Sequence, residues 1–362
     1  MAAALEETPV SYEDLADIER EFDDVETEII RQQVELTTPL YERRSKTVSQ
    51  IPNFWPLVLE QAPPDIDQYI QPSDSALLLS SLQNLSVSHF EISSPNTSTN
   101  KAAKGGDPRS VSIKFDFAEN EYFENRTLEK KFWYRRARDG WTGLVSEPVP
   151  IRWKKDRDLT GGLLDMVVKA WEVEQCCPPS TSTSTNTNKT GNGNGRTGDR
   201  GLTPEQKALK KKIENTGMGG LSFFAWFGFI GRKVSAEESA EATALEREKR
   251  NRRKSSKTNL SVQNEEDEEE SEGEEEEEDD VGMSLEIFPD GDDLAVAFTE
   301  DLWPGAIKYF TQAQEQDALS DADFESDDGA DEGNEAAFNS GSENSNSDQE
   351  SSGPPTKKLR SS

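Results

Sequence analysis

Histidine is almost missing from this 362-residue chain, with His89 its only example. A single imidazole on a predicted strand argues against His-based triads and dyads, and it leaves a zinc site short of its usual ligands. His89 falls in a predicted strand and reads as a sheet residue. Cysteine is nearly as scarce: Cys176 and Cys177 are adjacent and there is no third thiol. Vicinal cysteines rarely bridge each other, so a disulfide framework is excluded and a reducing compartment is expected. Apolar runs are short, and none approaches the ~18 residues needed to span a bilayer. Met1–Thr8 has neither the basic residue nor the apolar core of a secretory signal. The chain also lacks a P-loop, a Gly-x-Gly-x-x-Gly turn after a strand and the spacing of an EF-hand. Together these absences predict a non-enzymatic binding protein with no cofactor, no metal and no membrane partner.

Positive charge is the other deficit, with 40 Lys and Arg against 72 Asp and Glu for a formal charge of −32. Such a chain repels phosphates, which argues against direct nucleic-acid binding. A basic protein is the expected partner, steered by charge and loosened by salt. Fourteen of the sixteen positions from Glu265 to Asp280 are acidic, broken only by Ser271 and Gly273. Like charges with no apolar surface cannot offset chain entropy, so this run is expected to be disordered. From Tyr309 to Thr356 there is no Lys or Arg against thirteen Asp or Glu, which predicts a second disordered acidic stretch. Ser271, Ser320, Ser326 and Ser347 each precede acidic residues, the pattern that acidophilic kinases favour. With 32% hydrophobic residues, roughly 200 positions are expected to fold.

What is present begins with a seam. Leu15, Ile18, Phe22, Val25, Ile29 and Leu36 recur at steps of three and four, with Gln32 at one seam position. The pattern predicts a helix of about 35–40 residues, some 55–60 Å long, with a kink at Pro39. A helix longer than a small domain must bury its seam against a partner, and a second copy is the simplest one. A strand-rich block follows. Val111, Ile113, Phe115 and Phe117 alternate with Ser112, Lys114 and Asp116, as in a half-buried antiparallel strand. Leu85–Ile92, Lys130–Arg136 and Val149–Trp153 read as three more, covered by helices at Gly162–Glu174 and Thr203–Asn215. The second helix opens on Thr203-Pro204-Glu205-Gln206, a capping box with proline at the first helical position. Lys249, Arg250, Arg252, Arg253 and Lys254, and at the other end Lys357, Lys358 and Arg360, read as nuclear import signals. The first cluster has a second reading, as a counter-charge for the neighbouring acidic run.

Several stretches, in order, resemble the nucleosome assembly protein (NAP)/SET family of histone chaperones, closer to its SET branch. They are Pro39–Arg44 with Ile51–Trp55; Phe115–Phe117 with Asn120–Asn125; Ile151–Lys154 with Asp158–Thr160; Ser222–Phe227; and Glu300–Pro304 with Lys308–Phe310. The resemblance implies an α+β fold: a long dimerisation helix, then an earmuff domain whose four-stranded antiparallel sheet is covered by helices. On that frame the chain divides into a disordered N-terminus (1–11), the long helix (12–52), the earmuff domain (53–312) and a disordered acidic tail (313–362). Disordered insertions are expected at about 178–202 and 232–282. The resemblance further implies an antiparallel homodimer in the nucleus that binds core histones, H3–H4 or H2A–H2B, on acidic surfaces and assists nucleosome assembly and disassembly. An accessory role beside a histone acetyltransferase and inhibition of a phosphatase are the alternative functions. Where the family is acidic after its Ser-Phe-Phe motif, this chain reads Gly228–Lys233, apolar then basic. The candidate histone-binding residues are therefore Glu237, Glu238, Glu241, Asp292, Asp293, Glu300 and Asp301. Phe54, Trp55, Phe115, Phe117, Phe123, Trp153, Phe224, Trp226 and Trp303 are expected in the core.

Overall fold

The computed structural model of the protein describes residues 12–92, 106–176, 202–216, 220–258 and 285–325. Helix α1 spans Tyr12–Val48, with Pro39 inside it rather than at its end. Its last turns carry Tyr41 and Val48 into the core, which holds the helix together past the proline. Arg44 then ties α1 to the far end of the chain. Its guanidinium lies 4.1 Å from the Trp303 ring and 4.7 Å from the Tyr41 ring, and Nη1 donates to the Trp303 carbonyl at 2.5 Å. Burial among these rings pulls its pKa down to about 10.

Three short helices follow: α2 (Phe54–Glu60), α3 (Pro64–Asp67) and α4 (Pro72–Ser81). They lead into an antiparallel sheet of order β1-β2-β3-β4, made of Leu82–Ser88, Val111–Phe117, Thr127–Arg136 and Thr142–Ser146. Alternation works as expected on β2, where Val111, Ile113, Phe115 and Phe117 are all buried. Three boundaries differ from the sequence reading. The first strand lies earlier, so His89 sits just beyond it, with Nδ1 2.7 Å from the Pro108 carbonyl and its pKa lowered by burial. The third strand begins at Thr127. The fourth is Thr142–Ser146 and not Val149–Trp153, because Pro150 denies that segment a ladder donor and Pro148 precedes it. It makes single contacts instead, Val149 N–H to the Phe227 carbonyl and a bridge between Phe123 and Trp153.

Helices α5 (Leu163–Cys176) and α6 (Pro204–Thr216) pack on each other. The capping box on α6 is formed in both directions: Thr203 N–H donates to Gln206 Oε1 and Gln206 N–H to Thr203 Oγ1. A 3-10 turn, Phe223–Gly228, then drives its aromatic side chains into the core, where Trp226 Nε1 donates 2.8 Å to the Gly291 carbonyl. Buried Asp74 of α4 anchors this turn by accepting from Ser222 Oγ at 2.6 Å and Phe223 N–H at 2.7 Å. Of the nine aromatics expected in the core, eight are buried and Trp153 is partly buried against them.

Helix α7, Ala236–Thr258, stands where a disordered insertion at 232–282 is expected. Its Ala, Glu, Lys and Arg content favours helix, and Ser235 Oγ caps it by accepting from Glu238 N–H. The charge density that suggests disorder is matched across the gap to α1. Arg250 pairs with Asp24 at 2.6 Å and Arg20 with Glu246 at 3.0 Å. The chain ends its described part with α8 (Gly291–Ala297), a π-helical turn (Phe298–Leu302) and α9 (Trp303–Glu325). Helix α9 therefore passes the expected start of the tail at 313. The N-terminal 1–11, the insertion at 178–201 and the acidic run lie outside the described residues.

Candidate functional site

Carboxylates are so common in this sequence that only geometry can choose among them. Pro63 and Pro64 open α3 and present Asp65, while the segment before α8 supplies Asp290 and its first turn Asp292 and Asp293. Asp65, Asp290 and Asp293 meet around Tyr69, whose hydroxyl donates to Asp290 Oδ2 at 2.9 Å, and Asp292 lies near Asp290 and Asp293. Burial, the bond to Asp290 and the charges of Asp290, Asp293 and Asp65 push the Tyr69 phenol up to about 12. Asp292 is half-buried, and burial followed by the charges of Asp293 and Asp290 raises its carboxyl above the usual range. Protonation of Asp292 thus favours the fold, so its ionisation costs stability as pH rises through that raised value. Among the described residues no Lys or Arg forms an ion pair with any of these four. The result is a patch of like charge that an incoming cation relieves.

Glu300 and Asp301 project from the π-helical turn that follows α8, both exposed. Asp301 Oδ1 accepts from the Tyr309 hydroxyl at 2.7 Å, and burial with that bond pushes Tyr309 up to about 12. Glu237, Glu238 and Glu241 stand apart on the opening turns of α7, and Glu241 is already paired with Arg138 at 3.0 Å. The seven acids chosen from sequence therefore occupy two neighbouring elements and one separate helix. Asp65 and Asp290 were missed, because nothing in the sequence brings them to Tyr69.

The basic residues are more occupied than the sequence suggests. Arg232 pairs with Asp139 at 2.7 Å and Lys233 with Glu174. Arg250 is held by α1, whereas Lys249 and Arg252 are exposed. Within the first import-type cluster Arg250 thus answers the acids of α1, and the expected partner, the acidic run, lies outside the described residues. The side chains of Arg253 and Lys254, and all of Lys357, Lys358 and Arg360, lie outside the described residues.

Along α1 the seam is bare. Leu15, Ile18, Phe22, Val25, Ile29 and Leu36 are exposed by 45% to 73%, and Leu40 continues the stripe at 57%. These residues form an apolar stripe left exposed on the outside of a charged helix. These features define an acidic binding protein in which an exposed helical seam leads into an α+β domain.

The chain belongs to the nucleosome assembly protein (NAP) family, whose model matches residues 11–313. It is 37% identical over 163 residues to a Schizosaccharomyces pombe protein named for nucleosome assembly, covering 42% of this chain and 61% of that one. It is 33% identical over 131 residues to Protein SET of Drosophila melanogaster, covering 36% of this chain and 43% of that one. This chain thus spans less than two thirds of either relative's length. The solved structure of the Vps75 histone chaperone aligns at 23% identity and a TM-score of 0.43, over 83% of this chain and 97% of that one.

Proposed function

We propose that this protein is a nuclear histone chaperone that works as a homodimer and catalyses nothing. Core histones, as H3–H4 or H2A–H2B pairs, are basic and expose apolar surface when off DNA. A chaperone has to screen that charge and still release its cargo, which many moderate, salt-sensitive contacts allow. The observation that carries the reading is the set of carboxylates Asp65, Asp290 and Asp293 around Tyr69, with Asp292 beside them and no ion pair to any among the described residues, in a NAP-family domain. Glu300 and Asp301 extend that surface, and Glu237, Glu238 and Glu241 add a second one. The seam of α1 pairs two chains and brings both acidic surfaces into one particle.

Neutralising the central patch tests this. The triple substitution Asp65→Asn, Asp290→Asn and Asp293→Asn is expected to weaken binding of a fluorescent core-histone pair by roughly tenfold. That figure takes about 0.5 kcal/mol for each exposed charge contact. The salt dependence of binding should flatten, while the helical circular dichroism stays as in the wild type. Unchanged affinity would move the binding surface elsewhere.

A further inference from the structure

Helix α6 is an exception to the charge of this protein. Its exposed side carries Lys207, Lys211 and Lys212, while Gln206 and Leu209 are buried against the body. Lys207 and Lys211 are four residues apart and so share one face. Among the described residues none of the three lysines is ion-paired. The same face carries one carboxylate, Glu214, so it keeps a local excess of positive charge on a chain of net charge −32 and suits an anionic occupant.

The course of the chain supplies one. After the acidic run Glu265–Asp280, the described chain resumes at Leu285, which shares a small recess with Gln206 and Leu209 of α6. Five residue steps separate Asp280 from Leu285, a reach of at most about 18 Å. Lys207 and Lys211 each lie two residues from Leu209, about 3 Å along the helix axis but on the opposite side of a helix about 10 Å wide, a span within the tether's reach. The acidic run is therefore tethered within reach of the lysine face. A short tether of this kind gives an effective concentration on the order of millimolar. Duplex DNA is the competing occupant by charge, but it lacks the tether and must overcome the repulsion of the whole protein.

We propose that the exposed lysine face of α6 is the docking surface for the acidic run Glu265–Asp280 of the same chain. The contact is electrostatic and many-sided, so it holds without a fixed register and loosens with salt. It keeps the polyanion next to the folded domain, where a basic ligand has to compete with three lysines for it. This inference does not depend on which basic partner the protein serves.

Amine footprinting of the full-length protein provides the test, comparing wild type with a variant lacking residues 262–282. Lys207, Lys211 and Lys212 are expected to acetylate at least about threefold faster in the deletion variant at low salt, given millimolar effective concentration in the wild type. Lys46 of α1 serves as the unaffected control. The difference should vanish at about 1 M salt, where the screening length is ~3 Å. Carbodiimide coupling of the wild type, in an equal mixture of light and heavy isotope chains, provides the second readout and needs no variant. It should join these lysines to carboxylates within 265–280 of the same chain. Four results would overturn the proposal: equal labelling rates, crosslinks to residues 326–350 instead, crosslinks only between chains, or protection by duplex DNA that the deletion leaves unchanged.

Discussion

Substituting Phe22→Asp and Ile29→Asp together is expected to convert the protein from a dimer of twice 40.4 kDa to a monomer of 40.4 kDa in light scattering. Both side chains are more than half exposed on α1 and lie on the stripe of three- and four-residue steps. Pairing two such helices removes each from water, worth roughly 1.5–3 kcal/mol per side chain. Four side chains per dimer then sum to about 6–12 kcal/mol, which corresponds to more than a ten-thousandfold change in dissociation constant. The α+β domain should survive, because neither residue contributes to its core. Tryptophan fluorescence should remain native in the monomer. A monomeric wild type would remove the seam from the account altogether.

The second large effect is expected inside the domain, at Lys130→Met. Lys130 is fully buried on β3, and its ammonium donates to three carbonyls, those of Glu147 at 2.7 Å, Phe227 at 3.1 Å and Phe229 at 2.6 Å. Three donors meet three acceptors, so the group is saturated. Burial pulls its pKa down to about 7, while the charges of Glu286 and Glu147 act to keep the proton on. Glu286 is partly buried and accepts from Ile230 and Gly231 N–H, with desolvation raising its carboxyl. Among the described residues, removing the lysine leaves the Phe229 carbonyl without a donor and the Glu147 carbonyl with only a long bond from Ser146 Oγ, while Phe227 keeps Val149 N–H. With the cation near Glu286 also gone, the loss is roughly 3–5 kcal/mol. At about 2–4 °C per kcal/mol, the melting temperature should fall by about 10 °C. Adding Glu286→Gln should return part of that loss, since the uncompensated charge is then gone. Equal melting of wild type and Lys130→Met would show that the 3-10 turn is held by its aromatic packing alone.

Features carried by local periodicity were legible in the sequence. The stripe from Leu15 to Leu36 needs only a 3.6-residue period, β2 only a period of two, and the Thr203–Gln206 box only four adjacent residues. Features that depend on meetings between distant segments were not. Asp65 and Asp290 join at Tyr69 across most of the chain, and acids elsewhere are too abundant to single them out. The fourth strand was misplaced because the apolar residues of Val149–Trp153 outweighed Pro150 among them, whereas Thr142–Ser146 carries a glycine. Helix α7 was hidden by its own charge, which reads as disorder until Asp24 and Arg20 of α1 stand opposite Arg250 and Glu246. Lys130 did leave a signal. It occupies the core-facing position between Leu128 and Phe132 in a strict alternation, where a charged residue has to be paired.

The central claim is that an acidic NAP-family dimer holds core histones, and titration of fluorescent histone pairs with the full-length protein tests it most directly. At ~0.15 M salt, where screening acts over ~8 Å, saturable binding of at least one core-histone pair is predicted, weakening as salt rises. A protein that is dimeric by light scattering yet binds neither pair at that salt would contradict the account.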